Sequence, residues 1–502
     1  MPNYDDRLVA VMAPVLIKDE EQFREFELHL QQARDIGVEA ISVDVWWGIV
    51  QASRSTSQWD YYDRVFAAIA HKDLSIVPIM SLHRCGGGLR DDVNIDLPPW
   101  LEELVLSAGG SPGDLRYQSE TGHESFDAVP PWIGEEISAV YQEMSRFIDG
   151  FLDHYRLELR DRLFREIKIS LGPTGELRYP SYSAADGWVF PHRGYYQCYS
   201  ESARRSFLRW VRAPQNGCSW ATQFADADIR VPNGHVPRGQ GARADTFVTE
   251  GLHQQPGYGQ DFLNWYHRSL LAHGRRVLGT AIESLKTHCT GDMETAPPIG
   301  MKIPAVHWQW RCTSAPRYAE LTAGLIPPNC CFVPDGKSAT GYEPVFEMVR
   351  ELSSQTMWPI RVHFTALEMD DDRAPEWWPN DKEKTSMAHS LVHAVGRTAS
   401  KAGVPLSGEN ALANVVAPDS PNDIAAWDHV RETFDMGYFS GTTLLRLCGG
   451  GWDTDRKALE SFIRDYDNDQ RGTPRRNVPA QSMRVEVAPD QSPKARSVQE
   501  RR

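Results

Sequence analysis

The feature that most constrains the fold is a regular alternation of short apolar runs with longer amphipathic stretches. Apolar runs of strand length and stretches with helical spacing of apolar residues follow one another along most of the chain. The predicted strands are 9–15, 40–45, 74–82, 167–171, 299–306, 360–367, 404–406 and 441–447. The predicted helices are 19–36, 59–71, 135–155, 199–211, 260–287, 344–353, 386–402 and 423–434. Strands that alternate with helices in this number are typical of an α/β fold, the (β/α)8 TIM barrel.

Two segments between these elements are too long to be simple connections. They are residues 84–131, after the third predicted strand, and residues 179–260, after the fourth. Because both are punctuated by Gly and Pro and contain many aromatic residues, we expect them to cover the C-terminal rim of the barrel. Beyond Tyr466 the composition shifts to Arg, Pro, Gln and Ser without apolar periodicity. The sequence therefore predicts one barrel domain over 1–466 and a disordered tail over 467–502.

The charge balance bears on the partners of the protein. The net charge is −15, from 53 basic and 68 acidic residues. This surplus repels phosphate backbones and anionic bilayers, so nucleic acid and membranes are disfavoured, and no obligate protein partner is evident. The N-terminal segment carries Asp5 and Asp6, where a signal peptide would be basic, and this favours a cytoplasmic location.

The cysteine and glycine patterns argue against bound metals and cofactors. The 8 cysteines are scattered without CxxC spacing, so we expect reduced thiols and no metal centre. The glycine run 86–88 is followed by neither a Walker lysine nor a GxGxxG pattern, so it is not a phosphate cradle. We therefore expect no cofactor.

Two glutamates stand out because each follows a predicted barrel strand. Glu176 lies in the segment 167–182, IKISLGPTGELRYPSY, after a turn of Gly and Pro, with an Arg and two Tyr close behind it. Glu409, in PLSGENAL, follows the seventh predicted strand. A lone Glu is more often an ordinary surface residue. Two acids on strands three places apart in an eight-strand barrel, however, can face each other across its mouth.

Paired carboxyl groups around one cavity are what glycosidic cleavage requires. One protonates the leaving oxygen, and the other acts on the anomeric carbon or on water. A separation of about 5 Å implies a retaining double displacement, and roughly 6.5 to 9.5 Å implies inverting attack by water. The sequence does not fix this distance, so both outcomes remain open from the residues alone.

Seven blocks of sequence narrow the choice. They are VDVWWGIV (43–50), SLHRCGGGLRDDVNI (81–95), GPTGELRYPSY (172–182), KIPAVHWQW (302–310), FTALEM (364–369), GENAL (408–412) and TLLRL (443–447). In content and order these blocks resemble the β-amylases, which hydrolyse α-1,4-glucans from the non-reducing end and release β-maltose with inversion. The resemblance implies a starch-like glucan or maltooligosaccharide substrate, with Glu176 as the general acid and Glu409 as the general base that activates water.

The resemblance also implies the residues that bind the sugar. Asp44 and His83 would hold the non-reducing glucose, and Asp91 would close over the substrate from a mobile loop. The further implied contacts are Lys302, His307, Thr365, Asn410, Ala411 and Arg446, and the candidate stacking surfaces are Tyr179, Tyr182, Trp188 and Trp308. A helix-capping role for Asp44 and a structural role for His83 are the simpler alternatives.

The chain departs from the family's pattern at several positions. Arg84 stands where Gln is usual, and residues 88–90 read Gly-Leu-Arg instead of Asn-Val-Gly. We expect these differences to alter how the mobile loop with Asp91, the lid, closes over the substrate. Ala366 replaces a common Cys. Some bacterial members bind calcium near the segment that corresponds to 51–59. That segment contains no carboxylate here, so we expect no metal site.

Two other functions compete with this interpretation. A retaining barrel glycosidase also places its carboxyls after strands four and seven, but such enzymes typically have Asn before the acid, where this chain has Gly175. A catalytically silent glucan-binding barrel is the second alternative. The presence of both glutamates and of Asp91 argues against it.

Overall fold

Parallel strands close into a barrel, as the alternation predicts. The computed structural model describes residues 8–86, 93–188, 194–232, 247, 251–289, 296–308, 310, 317–328, 330, 340–371, 386–411 and 424–472. The strands are β1 (Leu8–Met12), β2 (Ala40–Trp46), β3 (Ser75–Ser81), β4 (Ile167–Ile169), β5 (Ile299–Ile303), β6 (Ile360–Phe364), β7 (Leu406–Glu409) and β8 (Gly441–Arg446). Each pairs with its sequence neighbours, and β1 also pairs with β8, so the sheet has no edge. The TIM-barrel prediction is confirmed.

Several strands end earlier than the apolar pattern predicts. The strand predicted at 299–306 ends at Ile303, and the one predicted at 360–367 ends at Phe364. Apolar residues continue beyond both ends because the first residues of the rim are themselves buried, as Val306 and Leu367 show at 0% and 1% exposure. Apolarity alone therefore does not mark the last hydrogen-bonded residue of a buried strand.

A helix follows each strand on the outside of the barrel. These helices are α1 (Glu20–Asp35), α2 (Asp60–Ala70), α3 (Ala139–His154), α4 (Tyr258–His288), α5 (Glu343–Thr356), α6 (Ala388–Ala402), α7 (Ile424–Asp435) and α8 (Gly450–Gly472). Shorter helices are Trp47–Val50, Leu101–Ser107, Ile133–Glu136, Arg156–Arg160, Glu201–Arg212 and Tyr318–Thr322. The helix predicted over 135–155 is divided between Ile133–Glu136 and α3.

The last helix, α8, is absent from the sequence prediction. It runs to Gly472 and so passes the boundary placed at residue 466. Its buried residues Trp452, Leu459, Phe462 and Ile463 follow helical spacing, but charged residues outnumber them. The remainder of the predicted tail, 473–502, lies outside the described residues.

Local sequence signals explain where the helices begin and end. The Asp19 side chain accepts hydrogen bonds from the backbone N–H groups of Glu21 and Gln22 and so caps α1. Helix α6 ends at Gly403, whose φ of +68° is easily reached by glycine. The capping side chain and the glycine thus mark the limits of these two helices.

The two long excursions contain secondary structure of their own and contact each other. The first, between β3 and α3, carries a two-stranded ribbon of Tyr117–Gln118 and Glu124–Ser125. Gln118 of this ribbon pairs with Cys198 of the second excursion, which runs between β4 and α4. Arg205 of the second excursion also forms an ion pair with Glu136 of the first. A bridge between His83 and Ala128 joins the first excursion to the end of β3.

The interior of the barrel is partly apolar and partly ionic. A small apolar cluster consists of Leu8, Ala10, Ala40 and Val77. Charged residues on or beside β4 and β6 are buried as well: Glu166, Lys168, Arg361 and His363. Because side chains alternate across a strand, Glu166 and Lys168 share one face of β4, and Arg361 and His363 share one face of β6. The barrel therefore carries an internal ion-pair network that leads toward its rim.

Two further expectations concern cysteines and membranes. Among the described cysteines, Cys198, Cys218, Cys289 and Cys448 are thiols outside any disulfide bond. Within the ranges given above, no helix combines the length and the apolarity needed to cross a bilayer.

Candidate active site

Glu176 lies on a tight turn between β4 and the second excursion. The backbone N–H of Gly175 donates to the carbonyl of Gly172, and Gly175 itself has a φ of +82°. A Cβ at Gly172 would lie 2.5 Å from the Glu176 carbonyl oxygen, so only glycine fits there. After the turn, the N–H of Leu177 donates to the carbonyl of Lys302 at 2.8 Å. The turn thus fixes Glu176 beside the end of β5.

The side chain of Glu176 has hydrogen-bond donors around it. Arg178 Nε donates to Glu176 Oε2 at 2.8 Å, and Thr174 Oγ1 donates to the same oxygen at 2.9 Å. The Arg178 guanidinium also lies 4.2 Å from the ring centre of Tyr182, whose hydroxyl hydrogen-bonds to Glu176. The carboxyl group is 10% exposed. It is therefore held in one orientation while part of it still faces the cavity.

Glu409, the last residue of β7, lies among cationic and basic groups. Lys168 Nζ lies 2.8 Å from Glu409 Oε1, and Lys302 Nζ lies 3.5 Å from Oε2. His363 Nδ1 lies 3.5 Å from Oε1. Burial alone would raise the pKa of Glu409, but Lys168, Lys302 and His363 outweigh it and hold that pKa well below its ordinary value. The carboxylate is thus kept ionised.

Sequence reasoning missed the residues that support Glu409 from inside the barrel. Lys168 also donates to Thr443 Oγ1 at 3.1 Å, and His363 Nε2 lies 2.5 Å from Glu166 Oε1. Arg361 Nη1 donates to Glu166 Oε2 at 3.0 Å. Burial would raise the pKa of Glu166, but His363 and Arg361 lower it to about 2. The alternation of side chains along β4 and β6 is the signal that could have revealed this network.

Lys302 connects the two glutamates. Burial tends to lower the pKa of its ammonium group, but the negative charges of Glu409, Glu176 and Asp44 raise it above its ordinary value. Lys302 Nζ lies 3.5 Å from Glu409 Oε2, and the backbone of Lys302 pairs with that of Glu176 in a parallel β-bridge. The structure thus brings the two predicted acids and Asp44 to the same end of the barrel as Lys302.

Asp44, His83 and Arg446 lie at the same rim. Asp44 accepts a hydrogen bond from Ser81 Oγ at 3.0 Å, and Arg446 Nη1 lies 3.9 Å from its other oxygen. His83 Nδ1 and Ser170 Oγ are hydrogen-bonded at 2.7 Å. Burial, with the charges of Lys302 and Arg178, lowers the pKa of His83 to about 3, so its ring is neutral at neutral pH.

Three of the predicted sugar contacts hold neighbouring rim segments together. Thr365 Oγ1 accepts from the Ala305 N–H at 2.9 Å, and Asn410 Oδ1 accepts from the Leu445 N–H at 3.0 Å. The Ala411 N–H donates to the carboxylate of Glu368 at 2.9 Å. The first bond joins the segments after β5 and β6, the second joins the segment after β7 to the end of β8, and the third joins the segments after β6 and β7. Glu368, a buried acid, was not predicted to have this role.

The remaining predicted residues differ in their surroundings. His307 Nδ1 and Ser386 Oγ are hydrogen-bonded at 2.6 Å, and burial lowers the pKa of His307 to about 3. Asp91 lies outside the described residues. Arg84 forms an ion pair with Asp96 at 2.9 Å.

The aromatic candidates fall into two groups. Tyr179 is completely buried, and its ring stacks on Tyr266 with centroids 4.0 Å apart. Its assignment as a sugar-stacking surface is therefore wrong, because it belongs to the core beneath the excursions. Tyr182, Trp188 and Trp308 form one cluster. The ring centroid of Trp308 lies 5.0 Å from that of Tyr182 and 5.0 Å from that of Trp188.

Comparison with known proteins agrees with this geometry. The family model "Glycosyl hydrolase family 14" matches residues 10–454. The thermophilic β-amylase of Thermoanaerobacterium thermosulfurigenes is 30% identical over 460 residues, which cover 89% of this chain and 71% of that protein. The β-amylase of Cytobacillus firmus is 30% identical over 455 residues, 88% of this chain and 82% of that one.

A solved structure extends the similarity to three dimensions. The catalytic domain of the β-amylase from Paenibacillus polymyxa superimposes with a TM-score of 0.72 at 28% sequence identity, and the match covers 92% of this chain and 99% of that domain. The family match spans both glutamates and the residues that surround them. The chain therefore belongs to glycosyl hydrolase family 14.

Proposed function

We propose that the protein hydrolyses α-1,4-glucosidic bonds of starch-like glucans or maltooligosaccharides from the non-reducing end and releases β-maltose with inversion. The observation that carries this proposal is the position of Lys302, whose ammonium group lies 3.5 Å from Glu409 Oε2 and whose backbone pairs with that of Glu176 in a β-bridge. Two carboxyl groups in one cavity with different partners can take the different roles that inverting hydrolysis requires.

Glu176 acts as the general acid. Arg178 and Thr174 orient its carboxyl group through Oε2. When the glycosidic C–O bond breaks, its electron pair goes to the leaving oxygen, which takes the proton from Glu176. The leaving chain thereby departs as a neutral alcohol.

Glu409 acts as the general base. Its carboxylate stays ionised because Lys168, Lys302 and His363 lower its pKa. It takes one proton from a water molecule while the water oxygen forms a bond to the anomeric carbon on the face opposite the leaving group. The two protonation states are therefore reset by one proton transfer from Glu409 to Glu176 through solvent, without a covalent sugar intermediate.

Residues around the two acids would hold the terminal sugars. Asp44 supplies a carboxylate for sugar hydroxyls, and His83 a neutral imidazole, since its pKa is about 3. Arg446 closes the same side of the cavity, with its side chain 36% exposed. Asp91, which lies outside the described residues, is proposed as the lid aspartate on the strength of the sequence resemblance.

Maltopentaose tests the proposal. Wild-type protein should yield maltose and maltotriose, and Glu176→Gln should reduce the rate by about 10²- to 10⁴-fold, as expected for loss of a general acid. Glu351→Gln is a matched control, because Glu351 is exposed on α5 and pairs only with a surface arginine in the bonds described for it. Glucose or mixed products would contradict exo-release of maltose. Equal rates for wild type and Glu176→Gln would support a glucan-binding barrel instead.

A further inference from the structure

Two histidines and a glutamate form a compact cluster on the outside of the barrel, between α6 and α7. His389 and His393 are four residues apart and so lie on one face of α6, and Glu432 reaches them from α7. His389 Nε2 and His393 Nε2 lie 3.2 Å apart. Glu432 places one oxygen 3.5 Å from His389 Nε2 and the other 3.7 Å from His393 Nε2. Three potential metal ligands thus point at one position.

The spacing of the cluster is compatible with the ligands of a tetrahedral zinc ion. Zinc binds imidazole nitrogen and carboxylate oxygen at about 2.0 to 2.2 Å, which places neighbouring tetrahedral ligand atoms about 3.4 Å apart. The 3.2 Å separation of the two imidazole nitrogens is close to that value, and Glu432 lies within 3.7 Å of both nitrogens, through a different oxygen for each.

The orientation of His389 is fixed by groups outside the cluster. The ring of His429 packs against it with centroids 4.2 Å apart, and His429 Nδ1 donates to the carbonyl of Glu368 at 3.4 Å. The adjacent residue, Ser390, is anchored because its N–H donates to Asp371 Oδ1 at 3.0 Å. The ring packing and the anchored backbone at Ser390 therefore restrict how His389 can move.

The cluster is accessible from solvent. The side chains of His389, His393 and Glu432 are 22%, 11% and 46% exposed, so a metal ion can enter and a water molecule can take the fourth position. Two imidazoles and one carboxylate favour a divalent transition metal such as zinc. Calcium and magnesium prefer six or more oxygen ligands and are not suited to this set.

We propose that His389, His393 and Glu432 form a binding site for one divalent zinc-class metal ion, which links α6 to α7. This departs from the sequence expectation of no metal site, which considered cysteine spacing and calcium ligands only. The site is separate from the catalytic cavity, and its failure would leave the proposed hydrolysis untouched. Without a metal, the same atoms form an ordinary N–H···N hydrogen bond and two close contacts between imidazole and carboxylate, which is the competing explanation.

A second cluster must be distinguished from this one. Glu25, His29 and Cys448 also bring their ligand atoms within 4.8 Å of one another. His29 Nδ1 already accepts a hydrogen bond from the Cys448 N–H at 3.1 Å, which leaves only its other nitrogen for a metal. This cluster contains a thiol, so a metal bound there would have a different spectroscopic signature.

Zinc titration of the full-length protein tests the proposal. After treatment with a chelator and desalting, isothermal titration calorimetry near pH 7.5 should show one zinc ion bound per chain with micromolar or tighter affinity. His393→Ala and Glu432→Ala should each weaken binding by about 100-fold or more, because each removes a ligand. His71→Ala, at an exposed histidine on the end of α2, and Cys448→Ser, in the second cluster, should bind as the wild type does.

Cobalt provides an independent readout. The wild-type protein with bound cobalt should show the visible bands of a four-coordinate nitrogen and oxygen site and no thiolate-to-cobalt charge-transfer band. Circular dichroism of the metal-free variants should match that of metal-free wild type, which excludes a folding defect. Absence of saturable zinc binding, or binding that survives both His393→Ala and Glu432→Ala, would overturn the proposal. Loss of binding in Cys448→Ser alone would assign the metal to the second cluster.

Discussion

The two glutamates at the mouth of the barrel have different surroundings. Glu176 lies on a turn of the rim and receives hydrogen bonds from one guanidinium and from hydroxyl groups. Glu409 ends a barrel strand and contacts two ammonium groups and an imidazole. In the proposed mechanism, the same side chain thus takes two roles according to where the fold places it, one as the proton donor and one as the ionised base.

The difference also shows which part of the molecule supports each role. The orientation of Glu176 depends on its glycine-containing turn and on Arg178. The ionisation of Glu409 depends on Lys168 and on the ionic network inside the barrel. Substitutions at the rim should therefore change the orientation of Glu176, and substitutions inside the barrel should change the ionisation of Glu409.

Removal of either glutamate should have the largest effect, and the leaving group should separate the two roles. With maltopentaose, Glu176→Gln and Glu409→Gln should each reduce kcat by about 10²- to 10⁴-fold or more. With α-maltosyl fluoride, whose leaving group departs without a proton, Glu176→Gln should recover much of its rate. Glu409→Gln should not, because water still has to be activated. Release of fluoride measured with an electrode gives the rates, and recovery by Glu409→Gln instead would reverse the assignment.

Lys168→Met should have the next largest effect, seen in the pH dependence. In the wild type the pKa of Glu409 is lowered, so the base stays ionised at pH values where an ordinary Glu is protonated. Loss of the Lys168 ammonium group raises that pKa. The acidic limb of the kcat/KM profile should therefore move up by about one pH unit or more, while the basic limb stays in place.

The lowered pKa of Glu409 should also make the folded state more stable at neutral pH than at acidic pH. A lowered pKa in the folded state contributes stability above the pKa of the unfolded group, which is lost as the pH falls through the folded pKa. Lys168→Met should reduce that contribution. Lys286→Met, at a lysine on α4 whose ion pair is with Glu283, is the control and should leave the profile unchanged. An unshifted acidic limb in Lys168→Met would mean that Lys168 does not set the ionisation of Glu409.

Gly172→Ala should disturb the turn that carries Glu176. The added Cβ would lie 2.5 Å from the Glu176 carbonyl oxygen and 2.8 Å from that of Arg178. Because both contacts are to backbone, the turn must shift, and we expect a loss of about 3 kcal/mol in the free energy of unfolding together with reduced kcat. Urea denaturation followed by tryptophan fluorescence measures the first quantity.

The matched control for this change lies on α4. A Cβ at Gly279 meets no atom within 4 Å, so Gly279→Ala should be neutral or stabilising by about 0.5 to 1 kcal/mol. Equal stability of Gly172→Ala and wild type would show that the turn has room to adjust.

Ser81→Ala should have the smallest effect. It removes the hydrogen bond to Asp44, which is 3.0 Å long, and leaves both catalytic groups in place. A loss of about 1 kcal/mol in sugar binding corresponds to roughly a fivefold rise in KM with little change in kcat. Ser107→Ala, on the short helix Leu101–Ser107, should leave both constants unchanged, and steady-state kinetics on maltopentaose distinguishes the two variants. A fall in kcat with constant KM would place Asp44 in the chemical step.

Much of the fold and part of the site could be predicted from the sequence. Apolar runs and helical spacing were enough to identify the strands of the barrel, and turn residues placed Glu176 and Glu409 at strand ends. The apolar pattern could not predict where the strands end, because residues such as Val306 stay buried beyond the last paired residue. Helix α8 was missed because its charged residues outnumber its buried ones.

The support of the site was harder to foresee. Lys168 lies within an apolar run and looks like a strand residue exposed to solvent, yet the barrel turns it inward to Glu409 over a sequence separation of 241 residues. Tyr179 looks like a stacking surface beside the acid, yet the excursions bury it against Tyr266. His389 and Glu432 come together only because α6 and α7 are neighbours in the barrel. In each case the decisive contact is between distant parts of the chain, and one sequence does not contain it.

The configuration of the first product tests the central claim most directly. Proton NMR recorded within the first minutes of hydrolysis of maltopentaose shows whether new maltose carries the β or the α anomer, before mutarotation mixes them. If Glu176 donates a proton while Glu409 activates water, the first maltose is the β anomer. If the first maltose is the α anomer, the reaction proceeds with retention, and the roles assigned to Glu176 and Glu409 are wrong.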